Sequence, residues 1–534
     1  MPKTSLSSGS TVDLQINSLL STFQWGDTNG NAVSITYSFA DEGSTWVTDY
    51  ANAEPFSPNS YSSLNNTQRQ DFREALATWS DVANVTFQET DDTVNQGDFR
   101  IAFSTVVGTN TAGYSYGAPE FTSQEYTNQF NNGASIYASL GDIWLNTADQ
   151  DYSQDYQSGF ATLVHEIGHS LGLKHPFNVD PENATILPGT EDSAKYTVMS
   201  YTPYDIGFNE SGSSYITSSG YTPMLYDVAA MQFLYGANTA TRAGNDIYTF
   251  SNSQSELLTI WDGGGNDTFD LSNQTLAMVV DLTAGNYSSL GIKYVLDGQF
   301  ISNSPVTSTD NIAIAYNVDI ENAIGGSGDD TLTGNSLKNQ LTGGLGNDVI
   351  NGGEGTDISL YIGSKQNFLI HKSSDNLTVN DQKGTEGVDS LSNIERLQFS
   401  DVSIAFDTGS TESAGMTARL LGAAFGSEAI ANKVYAGIGI SLFDNGSTFE
   451  QVAQLAINTG LISAPSNAEF ISAIWKNVVG SAIDSNSLQF YSQALENNQM
   501  TQASLLTLAS QTDETNSIVE SIGINQVGLD YIIG

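Results

Sequence analysis

Between residues 71 and 82 the sequence DFREALATWSDV repeats its apolar residues every three to four positions, so a helix there carries Phe72, Ala75, Leu76, Trp79 and Val82 on one face. The next stretch, NVTFQE, alternates apolar and polar residues and predicts a strand, as does GDIWLN at 141–146. With Gly, Asn and Ser clusters between them, these periods predict a mixed α+β unit over about residues 17–243. Helical periods return after about residue 408. FISAIWKNVV puts Phe470, Ile471, Ile474, Trp475, Val478 and Val479 on one side of a helix, and similar segments down to about residue 522 predict a small helical bundle over 408–534.

The intervening region, 244–407, has neither period. It is rich in Gly, Asn and Asp, and from Gly325, Gly334, Gly343 and Gly352 it repeats every nine residues as GGSGDDTLT, GNSLKNQLT, GGLGNDVIN and GGEGTDISL. An earlier relative, GGGNDTFDL, starts at Gly263. This is the nonapeptide of calcium-binding parallel β-rolls. Its glycines (Gly263, Gly265, Gly325, Gly326, Gly328, Gly343, Gly344, Gly346, Gly352, Gly353, Gly355) allow tight turns that expose carbonyls, and Asp267, Asp330, Asp348 and Asp357 supply carboxylates, which together make calcium sites. Leu332, Leu341 and Ile350 fill a thin core. Two coils depart from the pattern: Asn339 stands for Asp in the second, and Ser359 for an aliphatic residue in the last, as in a frayed terminal coil. A flexible linker would not hold Asp and an aliphatic residue in register with glycine.

Sixteen Lys and Arg against sixty Asp and Glu give a formal charge of −44, which disfavours nucleic acid and anionic lipid and suits divalent cations. The absence of cysteine excludes disulfides and thiolate sites. No uncharged apolar stretch reaches the roughly 18 residues a membrane span needs, and residues 1–16 read as a flexible leader without a secretory signal's apolar run.

Three of the four histidines fall in HEIGHSLGLKH, residues 165–175. On a helix His165 and His169 face the same way and can share one metal ion, with Glu166 beside the first. Gly172 can end the helix with positive φ, His175 follows the turn, and Pro176 stops the helix from resuming. Three neutral imidazoles with an open fourth position describe a catalytic zinc site. The remaining histidine, His371 in the strand-like FLIHKS, is expected to lie on a surface or in a core without a metal role.

The motif and the following VMSYTPYD resemble the zinc motif and Met-turn of metzincin proteases. Together with SDVANVTF, YDVAAMQFLYGAN, WDGGGNDTFDLS and IENAIGGSGDD, they are similar to the serralysins, secreted bacterial metalloproteases with a calcium-binding repeat domain, over roughly residues 20–405. The resemblance implies a metzincin-type catalytic domain followed by the β-roll. It implies that His165, His169 and His175 hold one zinc, that Glu166 is the general base, that Met199 floors the metal, and that Tyr201 is both an additional ligand at rest and a support for the oxyanion. Several structural calcium ions are implied as well. Protein or peptide substrates would bind as an added strand with broad specificity. The edge expected to receive them is GDIWLN, with Gly141, Ile143 and Trp144 as contacts, although Trp144 reads equally as ordinary packing.

The resemblance further implies an extracellular protein exported by type I secretion machinery, read from a carboxyl-terminal signal that LDYIIG resembles except for its final glycine. The segment IWKNVVGSAIDSNSLQFYSQAL resembles a domain of unknown function found beside calcium repeats. The chain is expected to be a monomer. The competing reading is a calcium-loaded adhesive or surface protein whose protease domain is vestigial; the intact His, Glu, Gly, Met and Tyr positions argue against it.

Overall fold

The computed structural model describes residues 13–21, 24–26, 28–46, 61–104, 112–115, 141–147, 151–152, 157–179, 183–208, 215–218, 220–252, 256–293, 296–297, 300–301, 305–374, 376–384, 386–462 and 464–532. The chain divides into two compact units, residues 1–320 and 321–534. The boundaries expected at 243 and 407 follow composition, whereas this division follows compactness. Residues after 243 join the first unit through contacts that composition does not reveal: Tyr287 donates to the Lys195 carbonyl at 2.9 Å, and Lys195 pairs with Asp310 at 3.0 Å. Helix α1 runs Leu14–Leu19, and residues 1–12 of the expected leader lie outside the described ones.

In the first unit, α2 (Asn66–Val82) starts at a reciprocal cap between Asn65 and Gln68 and buries Phe72, Ala75, Leu76, Trp79 and Val82, the face its periodicity predicts. Among the described residues, helices α3 (Gln157–Ser170) and α4 (Leu225–Tyr235) follow it. The strands β1 (Val33–Phe39), β2 (Val85–Thr90), β3 (Phe99–Ser104), β4 (Gly113–Ser115) and β5 (Asp142–Asn146) form one sheet in the order β2-β1-β3-β5-β4. All neighbours are parallel except β4, which runs antiparallel to β5. GDIWLN is therefore a strand but not the edge. β5 is paired on both sides and every residue of it is buried, so Gly141, Ile143 and Trp144 are core positions. The Trp144 ring packs against that of Trp46 at 4.5 Å, tilted by 37°, and among the described residues the edge on this side belongs to β4.

In the second unit the nonapeptides stack with a period of two repeats. Strands Asn322–Ile324, Gln340–Thr342, Ile358–Leu360 and Arg396–Gln398 pair in parallel in one sheet, Ala323 facing Leu341. Strands Thr331–Thr333, Val349–Asn351 and Val388–Ser392 do so in another, Leu332 facing Ile350. Leu332, Leu341 and Ile350 are fully buried, as their register requires. The coil containing Ser359 is not a frayed end, since Ile358–Leu360 is paired on both sides and Ser359 is fully buried. His371 lies exposed in a strand, opposite Thr378.

Beyond the strands come helices α5 (Ser413–Phe425), α6 (Lys433–Asp444), α7 (Phe449–Asn458), α8 (Asn467–Val479), α9 (Ser485–Glu496), α10 (Gln502–Ser510) and α11 (Asp513–Ile522). Side chains of Asn432, Thr448, Ser466, Asp484, Thr501 and Thr512 cap six of them. On α8, Phe470, Ile471, Ile474 and Val478 are buried, but Val479 is 43% exposed, beyond the width of the apolar stripe. Of the expected export signal, Leu529–Tyr531 is a strand antiparallel to Ser403–Ala405, and its last two residues lie outside the described ones.

Candidate active site

Helix α3 carries His165, Glu166 and His169, and a Schellman turn ends it. The Leu173 N–H reaches the Gly168 carbonyl at 2.9 Å, the Gly172 N–H reaches that of His169 at 3.0 Å, and Gly172 takes φ +107°. The turn brings His175 back over the helix. Its Nε2 lies 3.1 Å from Nε2 of His165 and 3.0 Å from that of His169. A tetrahedral metal about 2.0–2.1 Å from each nitrogen would space them roughly 3.3 Å apart, so the three residues fit a single zinc.

The outer ring nitrogens are held as metal-binding histidines require. Nδ1 of His165 lies 2.7 Å from the Val198 carbonyl, and that of His169 lies 2.9 Å from the Leu173 carbonyl. Nδ2 of Asn178 lies 3.1 Å from Nδ1 of His175; with the amide turned over, its oxygen would accept the ring N–H that metal binding through Nε2 requires. Burial lowers His165 to about 4 and His175 to about 3, and takes His169 well below its ordinary value. All three are therefore neutral at neutral pH and offer lone pairs to a metal.

Glu166 is buried beside them. Burial pushes its carboxyl up to about 8 against the opposing hydrogen bond from the Ser115 backbone N–H. Its Oε2 has no partner among the described residues. The backbone of β4 lies directly against it: a Cβ on Gly113 would come within 2.9 Å of Glu166 Cγ.

The turn 197–201 closes the floor. Met199 is fully buried, and a Cβ on Gly168 would sit 2.8 Å from its sulfur. The Tyr201 ring is 4.5 Å from that of His175 and 5.6 Å from that of His165, and 67% of the residue is exposed. Burial of its hydroxyl and the nearby Glu166 raise the phenol. Asp227, which sequence reasoning missed, holds this turn. Its carboxylate accepts from Thr197 Oγ1 (2.6 Å), the Val198 N–H (2.7 Å) and the Met224 N–H (2.9 Å).

A family model described as Matrixin matches residues 54–194, and one described as Peptidase M10 serralysin C terminal matches 226–415. The chain is 34% identical over 336 residues to serralysin of Proteus mirabilis, covering 58% of this chain and 61% of that protein. It is 33% identical over 355 residues to metalloprotease AprA of Pseudomonas entomophila, covering 62% and 65%, and 31% identical over 336 residues to serralysin G of Dickeya chrysanthemi, covering 58% and 61%. The chain is serralysin-like. It spans about three-fifths of the length of these relatives.

In this serralysin-like chain the glycine and aspartate positions of the repeats form oxygen-lined cradles. Carboxylates of Asp246, Asp262 and Asp267 converge within 4.8 Å. A Cβ on Gly263 would fall 2.4 Å from the Thr239 carbonyl, and one on Gly265 would fall 1.9 Å from that of Gly244. In the second unit, carboxylates climb the coils in two columns. The Asp330 N–H donates to Asp348 and the Asp348 N–H to Asp389, while the Asn339 N–H donates to Asp357 and the Asp357 N–H to Glu395, all at 2.7–3.0 Å. Asp348 Oδ2 and Asp357 Oδ2 are buried without partners among the described residues, and burial pushes both carboxyls up to about 7. Hard oxygen donors left unsatisfied in a polar turn fit calcium. Asp246, Asp262, Asp389 and Glu395 were not anticipated, since none occupies the Asp position of a recognisable repeat.

Proposed function

We propose that this chain is a secreted zinc endopeptidase of broad specificity, stabilised by calcium bound to a parallel β-roll. The observation that carries the reading is the convergence of three imidazoles, with Nε2 of His175 3.1 Å and 3.0 Å from those of His165 and His169, beside a Glu166 oxygen without a partner among the described residues. Zinc held by His165, His169 and His175 would polarise the scissile carbonyl and make a water acidic near neutral pH.

Glu166 takes the proton of the attacking water and returns it to the departing nitrogen. The Tyr201 hydroxyl, on a side chain free to move, meets the charge that develops on the carbonyl oxygen. Substrate pairs with the outer edge of β4, whose backbone N–H at Ser115 already fixes Glu166. Backbone pairing demands little of the substrate's side chains, hence the broad specificity. The oxygen cradles of both units take calcium, and in a chain without cysteine this is the remaining covalent-free staple. Extracellular residence and type I export follow from the serralysin resemblance and belong to this proposal.

The test is metal analysis of the purified chain with casein hydrolysis by the wild type and by Glu166→Gln. One zinc per chain in both, with turnover lost by at least about a thousandfold in the variant, is the expected result. Undiminished turnover would remove Glu166 from its role. Stoichiometric metal without hydrolysis of any unfolded protein would favour an adhesive protein with an idle site.

A further inference from the structure

A helix leaves its last carbonyls without intrahelical partners, and each must be met from elsewhere if the end is buried. The six carbonyls from Gly168 to Leu173 run from the last helical turn toward the third metal ligand, and all are met. Gly168 and His169 accept within the turn, and the Leu173 carbonyl faces His169 Nδ1. The other three are met from outside the motif. Ser170 accepts from Trp25 Nε1 at 2.7 Å, Leu171 from the Tyr235 hydroxyl at 2.6 Å, and Gly172 from the Ser21 N–H at 2.9 Å.

Two of those three donors belong to one short segment near the amino terminus. The same segment grips the strand leading into His175. Leu20 pairs antiparallel with Leu173, and the Lys174 N–H donates to the Leu19 carbonyl at 2.8 Å. The segment is anchored in turn: Asn183 Nδ2 donates to the carbonyls of Asn17 (2.7 Å) and Leu20 (2.8 Å), and the Trp25 N–H donates to the Tyr235 hydroxyl at 3.2 Å. Leu19 and Leu20 are fully buried.

We propose that residues 14–21 with Trp25 are a positioning element for the third metal ligand: they supply the donors that fix the turn between His169 and His175, and so set the spacing of the two Nε2 atoms. The inference rests on the zinc reading of the histidines. It assigns to the amino-terminal segment a part in metal affinity, a property its sequence does not advertise. Trp25 is the residue that isolates the effect, because phenylalanine keeps the buried ring and its edge contact with Phe99 at 5.7 Å while deleting the donor to Ser170.

The experiment compares the full chain with Trp25→Phe, Tyr235→Phe and a core control, Ile35→Val, which lies in β1 and is fully buried. Zinc affinity is measured by chelator competition, and geometry by the visible spectrum of the cobalt-substituted protein. Outer partners of metal ligands are worth about 10- to 100-fold in affinity. We expect a loss of about tenfold in Trp25→Phe and Tyr235→Phe with a shifted cobalt spectrum, and no change of either in Ile35→Val. Wild-type affinity and spectrum in both aromatic variants would overturn the inference while leaving the zinc site intact. An equal loss in the control would reduce it to general stability and overturn it as well. A wild type that binds no stoichiometric zinc would overturn the zinc reading and this inference together. If Trp25→Phe does not fold, Tyr235→Phe carries the test by itself.

Discussion

At the scale of single residues, the site depends on how closely the Met-turn approaches the metal-bearing helix. Gly168 makes that approach possible, since a methyl group there would lie 2.8 Å from Met199 Sδ and 3.1 Å from Trp79 Cζ2, both fully buried. Alanine would gain about 1 kcal/mol from helix propensity and lose about 1–3 kcal/mol to overpacking. Gly168→Ala is therefore expected to lower the unfolding temperature and weaken activity, as the methionine or the helix gives way. Thermal unfolding decides it, because a rise in melting temperature would mean that the floor is slack. The convergence of His165, His169 and His175 was legible, since i, i+4 spacing and a helix-ending glycine are local geometry. Phe177 was not. Its ring stacks on His175 at 5.0 Å and 5°, yet nothing local distinguishes it from any other loop aromatic.

At the scale of elements, the sequence located helices and strands better than their neighbours. Caps explain the success in the helical region, because Thr448, Ser466, Asp484 and Thr501 each stand three residues before a partner amide. Strand order is a different matter, fixed by contacts far apart in the chain. GDIWLN was assigned to the edge, yet its uninterrupted Ile-Trp-Leu run is what a strand buried on both faces needs, and the true edge, Gly113–Ser115, is too short and polar to announce itself. Asp227 was hidden for the same reason. It lies 30 residues from Thr197, and on α4 it reads as an ordinary acidic residue in the first helical turn. It joins the start of α4 to the Met-turn, and through the Val198 peptide to His165. Asp227→Asn would set an amide N–H₂ against a donor, leaving a buried group unsatisfied, at a cost of about 2–3 kcal/mol. The expected outcome is a lower melting temperature together with faster zinc loss; a variant as stable as wild type would show that the turn holds itself.

At the scale of the whole molecule, the question is what holds together a chain of charge −44 with no cysteine. Compactness divides the chain differently from composition, because residues such as Asp310 and Tyr287 fold back onto the Met-turn side of the first unit. In the second unit, Asp348 and Asp357 are buried in the cradles, and without a cation each has its carboxyl raised from 3.8 to about 7, chiefly by burial. The sign of the pH dependence follows. Between about pH 4 and 7 the unfolded chain releases these protons while the folded calcium-free chain retains them, so stability is fully present below about 4 and falls as pH rises through 7. Calcium bound as proposed would reverse the slope, because it would take the ionised carboxylates and displace the protons, and its affinity would grow across the same window. In chelator, the second unit should melt at a higher temperature at pH 5 than at pH 8; with saturating calcium it should melt higher at pH 8, and calcium binding at pH 6 should release protons measurable in a weakly buffered titration. A calcium-free melting temperature that rises from pH 5 to 8 would mean that these carboxylates are not buried with unsatisfied oxygens, and the cation sites built on them would have to be withdrawn.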